Sequence, residues 1–346
     1  MFDIIEARMF IGYNSRFFEP KEAARMNAIA WHRHALANRL QSLLLLLAMA
    51  GLMALLGVMF WGSDGAIWLL GLCGLLILIN PLAAPGLILN LYHARPLAPD
   101  QASHLHQAVQ ELARRAHLSH PPELYYIPSS MVNGFSIGSG SQAVIAVTDG
   151  LLNSLSWREI VGVLAHEISH IANGDMWVMG MADLFSRMTA MLSLFGQVLL
   201  FINLPMILMA GHGISWIPIL LLIFAPSLSA LAQLGLSRSR EFDADLNAIR
   251  LTGDPDGLVS ALLKIEQRQN SLLGNILLPG RRIPEPSMLR THPPTEQRIR
   301  RLLELKLPQG ARPLSGGTGS RGNSQVSWGP PIERAPRLHP VSRLWH

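Results

Sequence analysis

Residues 161–175 read VGVLAHEISHIANGD, and an apolar segment opens at Met176, directly behind them. The reading of this stretch decides the reading of the chain. Just upstream, Ser156 is followed three residues later by Glu159, a capping-box pattern that predicts a helix starting there. Val161, Val163, Leu164, Ile168 and Ile171 predict that most of this helix is buried. His166, Glu167 and His170 are costly on such a helix unless they find partners. Asn173, Gly174 and Asp175 are expected to break or bend the helix before the apolar segment begins.

His166 and His170 are four residues apart, on one helix face, so both imidazoles can reach one metal ion. Glu167 lies about 100° further round the helix and need not ligate. It is placed to take a proton from an attacking water and pass it to a leaving amine. A zinc ion there would polarise a scissile carbonyl and lower the pKa of water to about 7. Catalytic zinc usually has three protein ligands. The downstream stretch SRSREFDADLNAIRLTG, 237–253, supplies Glu241 as candidate third ligand. Asp245, one turn along, is the candidate acceptor that orients a ligand histidine. Alone, that Glu–Asp pair reads as a solvated acidic face beside Arg238 and Arg240.

Only 15% of the 346 residues are charged, against roughly 25% in soluble domains, which points to a membrane protein. Four apolar segments are expected to span: Ser42–Trp61, Ala66–Leu91, Met176–Ala210 and Ile214–Leu236. About 20 apolar residues cross about 30 Å of hydrocarbon. Asn80, Pro81, Pro85 and Asn90 predict a kinked or partly interfacial lower half for the second. Asp183 and Arg187 are spaced to pair on one helix face near the start of the third. Lys and Arg crowd the N-terminal arm and return after the second and fourth segments, whereas the short loops GSDG and GHG carry none. All long segments are therefore expected on the cytoplasmic side.

The expected organisation is a basic cytoplasmic arm over 1–41, spans one and two in 42–91, and the first part of a cytoplasmic domain in 92–175. Spans three and four follow in 176–236, the second part of the domain in 237–307, and a tail in 308–346. The domain reads as α+β. DQASHLHQAVQELARRAHL, 100–118, predicts an amphipathic helix; ELYYI, VNGFSI and QAVIAVT predict short strands forming a small antiparallel sheet. The tail is rich in Pro, Gly and Ser and is expected to be disordered. It carries five arginines and one glutamate, so most of the chain's net charge of +5 sits there. This argues against a broad nucleic-acid-binding face and allows attraction to anionic lipid headgroups. The single cysteine, Cys73, forms no intramolecular disulfide, and the first forty residues lack the apolar core of a signal peptide.

HEISHIANGDM followed by a span pair and then SRSREFDAD resembles the HtpX family of integral-membrane zinc endopeptidases, relatives of the CAAX prenyl endopeptidases. NGF at 133–135 and THPPTEQRI at 291–299 extend the resemblance, which covers roughly residues 40 to 305. It implies a mainly α membrane protein with four transmembrane helices and a gluzincin-type zinc peptidase domain. It implies His166, His170 and Glu241 as ligands of one Zn2+ per chain and Glu167 as general base. Asn133, with Gly134 and Phe135, is implied to bind substrate backbone, an extended peptide adding to that strand. His292 is implied to stabilise the oxyanion, supported by Arg298. The implied partners are the lipid bilayer and polypeptide substrates, above all misfolded or damaged proteins of a bacterial inner membrane. A link to the ATP-dependent membrane protease system is implied as well. Four features depart from the family: the longer N-terminal arm, NGF in place of the usual NAF, Asp243 as a second carboxylate beside Glu241, and the basic tail.

Two other readings share part of this chemistry. Two histidines and a carboxylate also bind non-haem iron, and HRH at 32–34 and HLH at 104–106 loosely suggest the histidine boxes of membrane desaturases. That reading needs many more histidines and gives Glu167 no task. A catalytically silent zinc-site scaffold would be expected to close its metal with four ligands, often cysteines, and this chain has one cysteine, inside an apolar run.

Overall fold

The computed structural model describes residues 28–79, 85–209, 216–274 and 295–304. The expected arm up to residue 27, the tail and His292 lie outside them. Helix α1 (Ala28–Ile79) begins well before the apolar run at Ser42, so the last part of the basic arm is helical. Trp61 and Gly62 leave helical geometry, Gly62 at φ 68° and ψ −161°, a combination that essentially only glycine adopts. The chain doubles back there. Cys73 Sγ lies 3.3 Å from Met53 Sδ, whereas twenty residues of straight helix would separate them by about 30 Å.

Beyond the prolines a short helix α2 (Pro85–Leu91) follows, separate from α1. The other apolar runs form α6 (Asp175–Met209) and α7 (Trp216–Thr252). Among the described residues three helices are long and apolar enough to cross a membrane: Trp31–Leu76, Asp175–Pro205 and Trp216–Thr252. Their outer faces carry large exposed apolar side chains such as Leu44, Phe201 and Ile217, as lipid contact requires. Pro226 inside α7 has no N–H for the carbonyl of Leu222 one turn back. Helix α6 supplies the missing donors: Ser193 Oγ–H bonds that carbonyl, and Gln197 Nε2 reaches it at 3.1 Å. Asp183 and Arg187 form the expected pair at 2.7 Å.

The remaining elements are β1 (Arg95–Pro96), α3 (Ser103–Arg115), β2 (Glu123–Ile127), β3 (Gly134–Ile137), β4 (Val144–Thr148), α4 (Asp149–Ser154) and α5 (Trp157–Asn173), followed after α7 by α8 (Pro255–Gly274) and α9 (Thr295–Glu304). The three predicted strands and the amphipathic helix are all present. The sheet is mixed, not antiparallel as expected: its order is β1-β2-β4-β3, with β2 parallel to β4 and the other pairs antiparallel. The physical reason is that β3 and β4 form a hairpin whose second strand inserts beside β2. Every residue of β4 (VIAVT) is buried, which suits a central strand covered on both faces. β3 is left at the end of the sheet.

Helix α5 runs through the middle of the domain. Leu164 and Ile168 are fully buried in a core shared with Leu105 and Leu112 of α3, Ile145 and Val147 of β4, Ile249 of α7 and Leu258 of α8. Its start is the predicted capping box: the Ser156 N–H donates to Glu159 Oε2 at 2.7 Å. Its end is Gly174 in the left-handed region, φ 66°, and Asp175 opens α6.

Candidate active site

Helix α5 presents His166 and His170 one turn apart, and α7 arrives beside them carrying Glu241. The boundary expected at 236/237 falls inside α7, so one uninterrupted helix connects the apolar run to Glu241. His166 Nε2 and His170 Nε2 are 3.1 Å apart. Glu241 Oε2 lies 3.4 Å from His166 Nε2, and Oε1 lies 3.6 Å from His170 Nε2. One ligand atom from each residue falls within 4.8 Å of the others. A tetrahedral metal with bonds of about 2.0–2.2 Å spaces its ligand atoms by roughly 3.3–3.6 Å. The donor set therefore has the identity and the spacing of a three-ligand metal site.

Carboxylates face the outer nitrogen of each ring. His166 Nδ1 faces Asp245 Oδ1 at 3.0 Å. His170 Nδ1 faces Asp175 Oδ2 at 2.7 Å. With Nδ1 of each ring facing a carboxylate, Nε2 is the nitrogen turned toward the other ring and Glu241. Burial opposes charge on His166, but Asp245 and Glu241 overcome it and push its pKa up to about 10. Burial likewise opposes charge on His170, and Asp175 raises its pKa nonetheless. These carboxylates demand positive charge at this point, which a divalent cation satisfies.

Sequence reasoning passed over Asp175, treating it as part of a helix break. Its signal was an aspartate five residues after the second histidine, but its role depends on the turn at Gly174. Asp175 Oδ1 also accepts from Arg240 Nη1 at 3.2 Å. Arg240 Nη2 donates to Asp243, and Asp243 Oδ1 accepts from Asn38 Nδ2 of α1 at 2.9 Å. Asp243, the extra carboxylate, is thus committed to Arg240 and Asn38. The network is buried: Asn38, Asp175, Arg240 and Asp243 are each exposed by 9% or less.

Arg298 lies on α9, beside the site. It is 5% exposed. Its guanidinium bonds Asp245 at 2.6 and 2.7 Å and lies 3.2 Å from Glu241 Oε2. It contacts two carboxylates of the site.

Glu167 is buried, with its Oε2 accepting from Ser136 Oγ at 2.9 Å. Ser136 is on β3, so the end strand touches the candidate general base directly, a contact the sequence did not reveal. The start of β3 is fixed by Thr148. Its Oγ1 accepts from the Asn133 N–H at 3.0 Å and from the Leu151 N–H at 3.2 Å, and lies within bonding distance of the Met131 carbonyl, 2.6 Å. Asn133 and Gly134 are half-buried there. Phe135 is 6% exposed and packs with Leu89, Ile137 and Tyr92. Its side chain faces the interior, as alternate residues of a strand do, while its backbone stays on the end strand.

Comparison with known proteins places this geometry in context. The model of peptidase family M48 matches residues 99–306. A protease HtpX homolog of Acaryochloris marina is 38% identical over 281 residues, covering 75% of this chain and 90% of its own. Those of Pyrococcus abyssi and Aquifex aeolicus are each 34% identical over 276 residues, covering 76% and 75% of this chain and 95% and 90% of their own. The crystal structure of S. mikatae Ste24p aligns at 21% identity and a TM-score of 0.40, over 82% of this chain and 68% of that one.

Proposed function

The chain belongs to peptidase family M48 and is a membrane-bound metalloprotease; from that premise we propose how its residues divide the work. His166, His170 and Glu241 hold one zinc ion. The observation that carries this reading is the convergence of their three ligand atoms, at 3.1, 3.4 and 3.6 Å, from two separate helices. When bound, zinc would polarise the scissile carbonyl and acidify water to a pKa of about 7. Glu167 takes the proton of the attacking water and delivers it to the leaving amine. The Ser136 hydroxyl orients the Glu167 carboxylate. Asp245 and Asp175 hold the two histidines, and Arg298 positions Asp245 and Glu241. A substrate strand adds to the outer edge of β3, using the backbone of Asn133, Gly134 and Phe135. His292 stabilises the oxyanion.

The membrane reading goes further than three long helices. The reversal at Gly62 makes two crossings of α1, giving four spans in all. Asn38, before the first apolar run, touches Asp243, after the last, which supports one common side for the arm and the domain. The basic residues assign that side to the cytoplasm of a bacterial inner membrane. Glu241 follows Leu236 by five residues, about 7–8 Å of helix, so the site lies close to the bilayer surface. Substrates would then be segments of misfolded or damaged membrane proteins presented as they emerge from the bilayer. Mass spectrometry of peptides released in membranes by wild type and by Glu167→Gln tests this: wild type should release fragments from cytoplasmic membrane-flanking segments and the variant none. Identical peptide sets from both would overturn it.

A further inference from the structure

Next to the metal-ligand helices, α1, the end of α5 and α7 enclose a cavity of about 290 Å³ whose walls include Trp31, Arg39, Asn173, Arg240, Asp243 and Asn247. Nothing in the proposed peptidase chemistry uses it. Three of its wall residues carry a buried N–H with no hydrogen-bond partner among the described residues: Trp31 Nε1, Asn173 Nδ2 and Arg240 Nε. All three are donors, so the cavity lacks acceptors, not donors. A buried donor left unpaired is costly, so each favours an acceptor in the cavity. Arg240 is 9% exposed and gives Nη1 to Asp175 and Nη2 to Asp243, so an acceptor at Nε adds a bond without breaking either. Asn173 accepts from Asn247 through Oδ1, so its amide N–H groups face the same need. Arg39 adds a second guanidinium, and Asp243 is the opposing carboxylate, engaged by Arg240 and Asn38.

The depth of the cavity points to its source of acceptors. Arg39 precedes the apolar run at Ser42 by three residues and Arg240 follows Leu236 by four, about 4.5 and 6 Å of helix. Headgroup regions extend roughly 5–7 Å beyond the hydrocarbon on each side. Arginine binds phosphate oxygens through charge-assisted hydrogen bonds. We propose that this cavity is an anion site that takes a phosphate oxyanion, presented by a phospholipid headgroup. The depth argument rests on the membrane reading above. The site itself does not rest on the peptidase chemistry, and the test reads binding alone.

The experiment is native mass spectrometry of the full chain carrying Glu167→Gln, which removes the proposed general base. It is titrated with dioleoyl phosphatidylglycerol, with dioleoylglycerol, which has the same chains and no phosphate, and separately with inorganic phosphate. Retention of phosphatidylglycerol at least about tenfold above dioleoylglycerol is expected, the scale of one charge-assisted hydrogen bond. Arg39→Glu, a substitution at an exposed position, should abolish the difference, and Arg39→Lys should restore much of it. Asn173→Asp, which puts a carboxylate in the wall, should act like Arg39→Glu. Binding of inorganic phosphate, sensitive to Arg39→Glu but without lipid preference, supports the anion site and assigns its ligand to the cytosol. Equal retention of both lipids with no phosphate binding, or retention indifferent to both acidic substitutions, overturns the proposal.

Discussion

Replacing Asp175 by Asn isolates what the outer carboxylate of His170 contributes. The carboxylate serves two donors at once, His170 Nδ1–H at 2.7 Å and Arg240 Nη1–H at 3.2 Å, and is 3% exposed. An amide of the same shape has one acceptor oxygen. If it faces His170, its NH2 group faces the Arg240 guanidinium, donor against donor; if it turns, His170 loses its partner. Either way one charge-assisted hydrogen bond is lost, worth about 1.5–3 kcal/mol. At about 1.4 kcal/mol per decade this is roughly 10- to 100-fold in metal affinity, the range seen for outer partners of ligand histidines. The assay is competition for zinc against a chromogenic chelator, in Glu167→Gln protein so that the chain stays intact, with circular dichroism confirming an unchanged helical content. A zinc affinity within twofold of the parent would refute the reasoning that Asp175 orients His170.

Other outcomes follow from other contacts. Arg298→Ala leaves Asp245 and Glu241 without their buried counter-charge and should lower stability by about 3–5 kcal/mol; a melting temperature unchanged to within a degree in detergent would contradict this. Glu159 loses some affinity for its charge to burial, but Lys264 at 2.7 Å, Ser260 and the Ser156 N–H hold its pKa below the ordinary value. Its contribution to stability is therefore complete above about pH 4.3, declines as pH falls toward its own lower pKa, and is gone below it. Unfolding curves of wild type and Glu159→Gln should converge on that acid limb, and a constant gap down to the lowest pH would count against it. In the membrane, Gln197→Leu should cost about 0.6–1.7 kcal/mol by removing a donor to the Leu222 carbonyl. In a Pro226→Ala background the cost should shrink, because Ala at 226 returns the backbone N–H; equal costs in both backgrounds would deny that link.

What the sequence disclosed was local. The helix carrying His166 and His170 announced itself through its capping box and apolar positions, and the strands and the helix over 103–115 through their periods of two and 3.6 residues. Glu241 and Asp245 were legible because their spacing matches a ligand set already half found. The features that escaped depend on contacts between distant segments. Asn38 and Arg39 sit among charges that read as a loose arm, yet they lie on α1, and Asn38 is buried against Asp243 of α7. The parallel pairing of β2 with β4 is a matter of strand order, on which alternation of side chains is silent. Ser136 on Glu167, Asp175 on His170 and Arg298 on Asp245 join residues that no window of sequence brings together.

The central claim is that two histidines and Glu241 bind zinc while Glu167 moves the proton. Metal content and casein cleavage, measured side by side on purified wild type, Glu167→Gln and Glu241→Gln, test it most directly. Wild type should hold zinc at one ion per chain and cleave. Glu167→Gln should hold the same zinc and not cleave, and Glu241→Gln should lose both. Cleavage by zinc-loaded Glu167→Gln, or stoichiometric iron in place of zinc in the wild type, would contradict the account.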